Sequence, residues 1–347
     1  MHQSRTRRIA VLAVSAAAAA AFAPQAASAA VVSQANGVVT YQAAAGEVNQ
    51  PIPFVENGRL RVREANAATP LSAGLGCRIV SDRLADCDSG TSVRISLGDR
   101  DDDYFGTGAG SFGVTVNGED GNDVFIDGDG AAHREIYIGG AGVDKAAYFL
   151  ESRPLSLSLD NQANDGEAGE GDFIASDVES LQGGQSDDVI SGNNSANHLA
   201  GEQGRDRLSG LGGDDSFEEG TAANGADTFS GGTGIDRVLY RERSAGAHVS
   251  IDNVANDGQG AEADNVLTNV ENITGTPFAD TLTGSTAANT LAGLGGNDFI
   301  DPLGGADTVF GGDGDDHIVV KDGVKDVARG NAGSDLIQKD SIDDAVA

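Results

Sequence analysis

The chain has 347 residues and a formal net charge of −32. An acidic imbalance of this size repels nucleic acid and anionic lipid, so both are excluded as partners. With 50 glycines, no tryptophan and only 5% aromatic residues, the chain cannot build a thick hydrophobic core and needs another source of stability.

The chain begins with the pattern of a secretory signal peptide. Three arginines precede an apolar run from residue 9 to 23, and the tripeptide Ala-Ser-Ala at 27–29 fits a cleavage site. The apolar run is too short to favour a membrane span. We therefore expect residues 1–29 to be removed and the mature protein to be secreted into the extracellular space without membrane insertion. The Arg7-Arg8 pair leaves open whether export follows the general or the twin-arginine route.

Residues 30–97 are predicted to form a small N-terminal β segment. The stretches GRLRVRE (58–64) and TSVRISL (91–97) alternate apolar and polar residues, which indicates half-exposed strands. The two cysteines of the chain, Cys77 and Cys87, lie here, and an even count in an exported chain predicts a disulfide. Two unpaired buried thiols are the alternative.

A nine-residue unit recurs after the β segment. It is clearest in GGAGVDKAA (139–147), GGTGIDRVL (231–239) and GGDGDDHIV (311–319). Glycines occupy its first, second and fourth positions, aspartate the sixth and an apolar residue the eighth, which is the calcium-binding nonapeptide pattern. Glycine leaves room for backbone carbonyls to approach an ion, and aspartate supplies a hard anionic oxygen, which calcium prefers.

A larger duplication organises these units. GGAGVDKAAY at 139 matches GGTGIDRVLY at 231, and LDNQANDG at 159 matches IDNVANDG at 251, so the two copies lie 92 residues apart. Two units are expected to make one turn of a coil, so that every second unit stacks on its predecessor. The predicted segments after the β segment are a first, degenerate repeat segment (98–147), an acidic spacer (148–182), a repeat roll (183–239), a duplicate spacer (240–274), a second roll (275–338) and a tail (339–347).

The sixth-position aspartates and the glycines of the best unit are the candidate calcium ligands. Stacking pairs Asp188 with Asp206 and then Asp227, and the apolar eighth positions form a narrow interior ladder. We expect several calcium ions. The candidate ligands are Asp123, Asp144, Asp188, Asp206, Asp215, Asp227, Asp236, Asp280, Asp298, Asp307, Asp316, Asp335, Gly311, Gly312 and Gly314.

The spacers carry a second set of acidic residues. Oxygen ligands at short intervals suit calcium, but the spacing is not that of an EF-hand, and a solvated acidic loop is the alternative. The members of this second set are Asp160, Asp165, Glu170 and Asp172 in the first spacer and Asp252, Asp257, Glu262 and Asp264 in the second.

On these motifs, residues 98–338 resemble the RTX, or hemolysin-type, calcium-binding repeat proteins of exported bacterial origin. The resemblance implies an all-β fold, a parallel β-roll (β-solenoid) with calcium between successive loops, bound by the sixth-position aspartate and by loop carbonyls. It is most specific at Gly311, Gly312, Gly314 and Asp316, and weaker where Asn289 replaces the aspartate. The membrane-active segment of RTX toxins has no counterpart in this sequence, so toxin activity is not carried over.

The sequence favours a binding protein over an enzyme. It contains neither H-E-x-x-H nor G-x-S-x-G, and its many equivalent carboxylate pairs single out no catalytic one. We expect a secreted calcium-binding repeat protein that folds on calcium outside the cell and has a structural or interaction role. The alternatives are a calcium-dependent adhesin or module that binds extracellular polysaccharide or a cell surface, and a minimal carbohydrate-active enzyme.

Overall fold

The computed structural model describes residues 29–66, 68–88, 90–106, 112–128, 133–221 and 223–346, so the predicted signal peptide lies outside it except for Ala29. These residues form strands, turns and loops without a helix, which confirms the predicted all-β class. Accordingly, nothing in this part of the chain is a helix of the length and apolarity that a bilayer crossing requires.

The N-terminal segment is built from hairpins. Asn36 and Gly37 (φ 52° and 80°) make a two-residue turn between its first two strands, and Asn57 and Gly58 (φ 54° and 73°) do the same between the third and fourth. Both central residues have positive φ, as a type I′ hairpin turn requires. The strands are β1 (Ala30–Ala35), β2 (Val38–Gln42), β3 (Pro51–Glu56), β4 (Arg59–Glu64), β5 (Leu71–Ala73), β6 (Cys77–Ser81), β7 (Leu84–Cys87) and β8 (Ser92–Gly98).

This segment covers one end of the repeat region. Strands β3, β4, β7 and β6 form a four-stranded sheet, in which a disulfide joins Cys77 to Cys87. Strand β2 pairs in parallel with β8, and β1 follows on its other side. The edge of the first solenoid strand is therefore paired, which protects it from pairing with other chains.

The repeat region is a β-solenoid of about 12 turns that spans residues 92–346. Its further strands are β9 (Asp103–Phe105), β10 (Gly113–Asp120), β11 (Val124–Ile126), β12 (Glu135–Ala141), β13 (Lys145–Ala147), β14 (Leu155–Ser158), β15 (Gly166–Glu167), β16 (Phe173–Ile174), β17 (Ser180–Gln182), β18 (Val189–Ser191), β19 (His198–Ala200), β20 (Arg207–Gly212), β21 (Ser216–Glu218), β22 (Thr228–Thr233), β23 (Arg237–Leu239), β24 (Ala247–Ser250), β25 (Gly258–Gln259), β26 (Asn265–Val266), β27 (Asn272–Thr274), β28 (Thr281–Ser285), β29 (Thr290–Gly295), β30 (Phe299–Leu303), β31 (Thr308–Asp313), β32 (His317–Val320), β33 (Val327–Ala332), β34 (Leu336–Lys339) and β35 (Asp344–Val346).

The two faces of the solenoid differ in continuity. One face is an unbroken 12-stranded sheet from β9 to β35. The opposite face consists of three separate sheets, and it breaks at both acidic spacers. In the first spacer, β16 closes one sheet by pairing with β12, while β14 opens the next by pairing with β18. Strands β26 and β24 repeat this arrangement in the second spacer.

Strand pairing confirms that two nonapeptides make one turn. Val189 pairs with Arg207, 18 residues later, and Thr290 pairs with Thr308 at the same interval. Longer turns keep the pairing and extrude the surplus residues as loops. The interval is 21 residues from Asp103 to Val124 and 35 residues across each spacer, for example from β13 to β17.

The core is a thin double ladder of apolar side chains, with one buried apolar residue on most strands of the nonapeptide turns. Phe217 on the continuous face and Phe229 on the other are at most 1% exposed, with ring centroids 5.7 Å apart. The predicted ladder is confirmed, since each of its members is at most 2% exposed: Ile190, Leu199, Leu208, Phe217, Leu282, Leu291, Ile300, Val309 and Ile318.

Candidate metal centre

The loop of the most regular unit is shaped by contacts that exclude any side chain. A Cβ on Gly314 (φ 138°) would stand 1.7 Å from the carbonyl oxygen of Gly296 on the preceding turn. A Cβ on Gly311 would stand 2.2 Å from Asp316 Oδ2 and 2.7 Å from the carbonyl oxygen of Gly330. The first glycine therefore borders a small space that a carboxylate oxygen and a carbonyl oxygen share.

The sixth-position aspartates form continuous vertical ladders. In each rung, the backbone N–H of one aspartate donates a hydrogen bond to Oδ1 of the aspartate one turn later, at 2.7–3.0 Å. The predicted pairing of Asp188 with Asp206 and then Asp227 is confirmed. The ladders are Asp102–Asp123–Asp144, Asp188–Asp206–Asp227–Asp264, Asn197–Asp215–Asp236, Asp280–Asp298–Asp316–Asp335 and Asn289–Asp307–Asp326.

The second carboxylate oxygen of most ladder aspartates has no protein partner. Within the described ranges, Oδ2 is buried and accepts no hydrogen bond in Asp102, Asp123, Asp144, Asp206, Asp215, Asp236, Asp298, Asp307, Asp316, Asp326 and Asp335. Burying a neutral polar group without a partner costs about 2–7 kcal/mol, and burying a charged oxygen in this way costs more. Repeated at so many rungs, the cost points to a bound cation that supplies the missing partner.

The first rungs of two ladders differ from the rest. Asp188 Oδ2 accepts the N–H of Gly184 at 2.7 Å, and Asp280 Oδ2 accepts the N–H of Thr276 at 2.6 Å. The protein itself therefore satisfies these two carboxylates. Asp227 differs as well, because the carboxylates of Glu219 and Asp264 lie beside its own carboxylate.

Burial raises the pKa of the ladder carboxyls, and neighbouring carboxylates raise it further. The pKa of Asp206 rises to about 8, chiefly through desolvation and then through Asp227 and Asp188. The same causes raise the pKa of Asp298 to about 7 and that of Asp307 to about 6. At neutral pH the ion-free ladders are thus electrostatically unfavourable, and a divalent cation would relieve the repulsion.

The side-chain oxygens of the two ladder asparagines accept hydrogen bonds from other residues of the chain. Asn197 accepts the N–H of Asn193 with Oδ1, and Asn289 does the same with Ser285. The Asn289 amide also donates to the Glu271 carbonyl oxygen at 2.7 Å. Neither amide carries a charge that needs a cation, so these positions begin their ladders without adding an anionic ligand.

The second set of candidate ligands divides into two kinds. Asp160 and Asp252 are exposed and each accepts a backbone N–H two residues later, as in an Asx turn. Asp165 accepts the N–H groups of Ser158 and Ile174, and Asp257 does the same for Ser250 and Val266, so both close the spacer loops. The remaining members turn inwards. Glu170 and Asp172 lie beside Asp127, and Asp264 lies beside Asp227, while Glu262 accepts a hydrogen bond from Arg243.

Four ladder residues are missing from the sequence predictions. Asp102 precedes its strand in a degenerate unit, and the constant interval of 21 residues to Asp123 is the signal for it. Asp326 is the sixth residue of KDGVKDVAR (321–329), a unit that keeps only one glycine. In the spacers Glu179 and Glu271 replace the aspartate and accept the N–H groups of Asp144 and Asp236 at 2.8 Å.

The arrangement fits a hard, oxygen-seeking cation. Every candidate ligand is a carboxylate or carbonyl oxygen, and calcium takes six to eight such oxygens. The ladder carboxylates and the first-glycine carbonyls would hold the ions, which would bridge consecutive turns and balance the carboxylate charge.

Comparison with known proteins agrees with this geometry. The family described as the RTX calcium-binding nonapeptide repeat matches four segments of the chain: residues 182–217, 221–238, 274–309 and 303–324. No curated protein matches the chain. The matched segments coincide with the ladders from Asp188 to Asp236 and from Asp280 to Asp316. The chain therefore contains RTX calcium-binding nonapeptide repeats within residues 182–324, folded as a β-roll.

Proposed function

We propose that this protein is secreted, stays unfolded while calcium is scarce, and folds outside the cell when calcium binds to its aspartate ladders. Outside the cell it has a structural or interaction role. The observation that carries the proposal is the row of buried Oδ2 atoms without protein partners. An ion-free roll would leave these oxygens desolvated and mutually repelling, so folding and ion binding are one process.

Export and folding are separated by the concentration of the ion. Extracellular calcium-binding modules have dissociation constants of roughly 10⁻⁴–10⁻³ M, which extracellular calcium saturates and cytosolic calcium does not. Secretion itself is proposed from the sequence of residues 1–29 and from the placement of both cysteines after it. The disulfide of the N-terminal segment suits an oxidising compartment.

We also propose that the role is binding and not catalysis. The ladder carboxylates are repeated in equivalent environments, and an acid–base pair in an enzyme is distinguished from its neighbours by its environment. In the ladders each Oδ1 accepts a backbone N–H of the neighbouring turn, which commits the side chain to the architecture.

Far-UV circular dichroism during a calcium titration tests the proposal. The mature chain in metal-free buffer should give a spectrum of unfolded protein, and calcium should produce the strand spectrum in a cooperative transition. Magnesium at the same concentrations is the matched control, because it prefers six ligands in a rigid octahedron and should not replace calcium. Full strand content in metal-free buffer, unchanged by calcium, would overturn the proposal.

A further inference from the structure

A second cluster of carboxylates lies inside the first module, around the backbone hydrogen bond that joins Glu135 to Asp172. Asp127 follows β11, Glu135 begins β12, and Glu170 and Asp172 come from the first spacer. One carboxylate oxygen from each of Asp127, Glu170 and Asp172 lies within 4.8 Å of the others. Asp127 is 4% exposed and Asp172 is fully buried. We call these four residues the inner cluster.

The hydrogen bonds of the inner cluster leave one carboxylate without a donor. Asp172 Oδ1 accepts the Glu135 N–H at 2.7 Å, and its Oδ2 lies 3.1 Å from the Tyr148 hydroxyl. The hydroxyl of Tyr137 donates to Glu135. Among the described residues, no group donates a hydrogen bond to the Asp127 side chain, although it is buried and faces Glu170 and Asp172.

Cationic side chains do not balance this charge. In the part of the chain that the structure describes, no lysine or arginine forms an ion pair with any residue of the inner cluster, and the basic contact is His133 Nε2, 3.4 Å from Glu135 Oε1. Desolvation and the other cluster carboxylates raise the pKa of Asp127 to about 9 and that of Asp172 to about 8.

The second module contains the same cluster with a cation built into it. Shifted by 92 residues, the inner cluster corresponds to Glu219, Asp227, Glu262 and Asp264. Arg243, which is 2% exposed, enters this duplicate cluster. Its Nη2 donates to Glu262 Oε1 at 2.6 Å and also to Glu219.

The residue of the first module that corresponds to Arg243 is an acid. Position 151, 92 residues earlier, is Glu151, which is 4% exposed. Glu151 lies close enough to the inner cluster to raise the pKa of both Asp127 and Glu170. Where one module places a guanidinium among four acids, the other therefore places a fifth acid.

We propose that the inner cluster, together with Glu151, binds a divalent, oxygen-seeking cation of the calcium type, and that Arg243 takes the place of this ion in the second module. The site adjoins a ladder, because the Glu135 N–H donates to Asp172 as the Asp227 N–H does to Asp264. It differs from the nonapeptide sites because Asp127 and Glu170 add carboxylates from a strand end and a spacer. The two modules then use one architecture with two different cations, one bound and one covalently part of the chain.

Exchanging the two residues tests the proposal in both directions. Glu151→Arg should install the guanidinium in the first module and lower the number of bound calcium ions by one, measured by equilibrium dialysis of the full mature chain. Arg243→Glu should raise the number by one. Circular dichroism in calcium monitors the ladders at the same time, so a failure of calcium-driven folding is distinguished from a failure of this site.

Terbium provides a second readout at this site. Tyr137 and Tyr148 contact the inner cluster, so terbium bound there should emit on excitation of tyrosine. Glu151→Arg should lower the sensitised emission by the contribution of this site, while Asp82→Asn, an exposed acid in the N-terminal segment, should preserve it. A folded Glu151→Arg variant that keeps both its calcium count and its terbium emission would overturn the proposal.

An isosteric variant keeps the proposal testable if the arginine variant does not fold. Asp127→Asn removes one charge without changing shape. It should lose one calcium ion and melt at a lower temperature than the wild-type protein in calcium. If the cluster holds no ion, the same substitution removes a repelling buried charge, so an unchanged calcium count with a raised melting temperature would contradict the site.

Discussion

The two oxygens of a ladder aspartate have different tasks. In Asp206, Oδ1 accepts the Asp188 N–H at 2.8 Å and fixes the spacing of adjacent turns. Its Oδ2 is buried and accepts no hydrogen bond among the described residues, so it remains for the ion. An asparagine at this position keeps a side-chain oxygen for the first task but offers no anionic oxygen for the second.

Asp206→Asn should therefore weaken calcium binding while keeping the backbone ladder. In saturating calcium, losing one ion held at 100 times its dissociation constant removes about 2.7 kcal/mol of folding free energy. In metal-free buffer the variant should instead be more stable than the wild type, because a buried charge is gone. Urea unfolding in saturating calcium measures the first effect, and the residual strand content in metal-free buffer, measured by far-UV circular dichroism, measures the second.

Asp82→Asn is the matched control for this change. Asp82 is exposed and lies in the N-terminal segment, so the same loss of charge there should change little, both in the urea midpoint in calcium and in the strand content of metal-free buffer. A lower stability of Asp206→Asn in calcium together with a lower strand content in metal-free buffer would assign Asp206 a purely structural role.

Gly314 tests the close contact between turns. Gly314→Ala places a Cβ 1.7 Å from the Gly296 carbonyl oxygen, in addition to the strain of a positive φ. The free energy of unfolding of the variant should fall by more than the ~1–2 kcal/mol typical of backbone strain alone, and the variant should bind fewer ions. Gly323→Ala is the control, because Gly323 also has positive φ (91°) but nothing lies within 4 Å of its Cβ position. Equal losses in the two variants would show that the clash is unimportant.

At the level of the element, the stacked aspartates make the ion-free roll sensitive to pH. The folded pKa of Asp206 is about 8 and that of Asp298 about 7, both above the ordinary aspartate value. A raised pKa stabilises the folded state fully below the ordinary pKa, near 4, and this stability is lost as the pH rises towards 7–8.

In metal-free buffer, strand content should therefore increase as the pH falls from 8 to 5. With calcium bound the dependence should reverse, because protons compete with the ion for the same carboxylates. Circular dichroism across this pH range, with and without calcium, checks both signs. An ion-free spectrum that does not respond to pH would contradict the buried ladder.

The disulfide strengthens the element that covers the first turn. Cys77 and Cys87 close a loop with a sequence separation of 10 residues, joining β6 to β7. In the double variant Cys77→Ser and Cys87→Ser, the free energy of unfolding of the N-terminal segment should fall by about 2–3 kcal/mol, the usual contribution of a disulfide that closes a short loop. Hydrogen exchange in calcium should show the loss in β1–β7 with the distal turns unchanged. An equal loss of protection throughout the roll would mean that the segment does more than cover its end.

Much of the solenoid could be predicted from the sequence, because glycines and aspartates recur at intervals of nine residues. A nine-residue period fixes the 18-residue pairing and therefore the ladder from Asp280 to Asp316. The positions of the 35-residue turns could not be predicted, because extruded loops carry no periodic signal. In addition, β16 pairs with β12 before the spacer, whereas β14 pairs with β18 after it. The role of Arg243 could not be predicted from the sequence, because its partners come together only when the spacer folds back.

At the level of the whole molecule, ions replace the hydrophobic core that the composition does not supply. The chain carries a formal charge of −32, and its interior is one apolar residue wide on each face. Each turn contacts mainly its neighbours, so stability is close to a sum over adjacent turns. Because consecutive turns share ligands in the ladders, calcium couples them, and the roll should fold cooperatively along its length.

The most direct test of this account is a high-resolution crystal structure of the mature chain grown in calcium, with an anomalous difference map. The account predicts anomalous peaks about 2.3–2.6 Å from the Oδ2 atoms of the ladder aspartates, the usual calcium–oxygen distance. It predicts no such peak beside Arg243. Ladder aspartates that are stacked as described here but have no density beside Oδ2 would contradict the central claim.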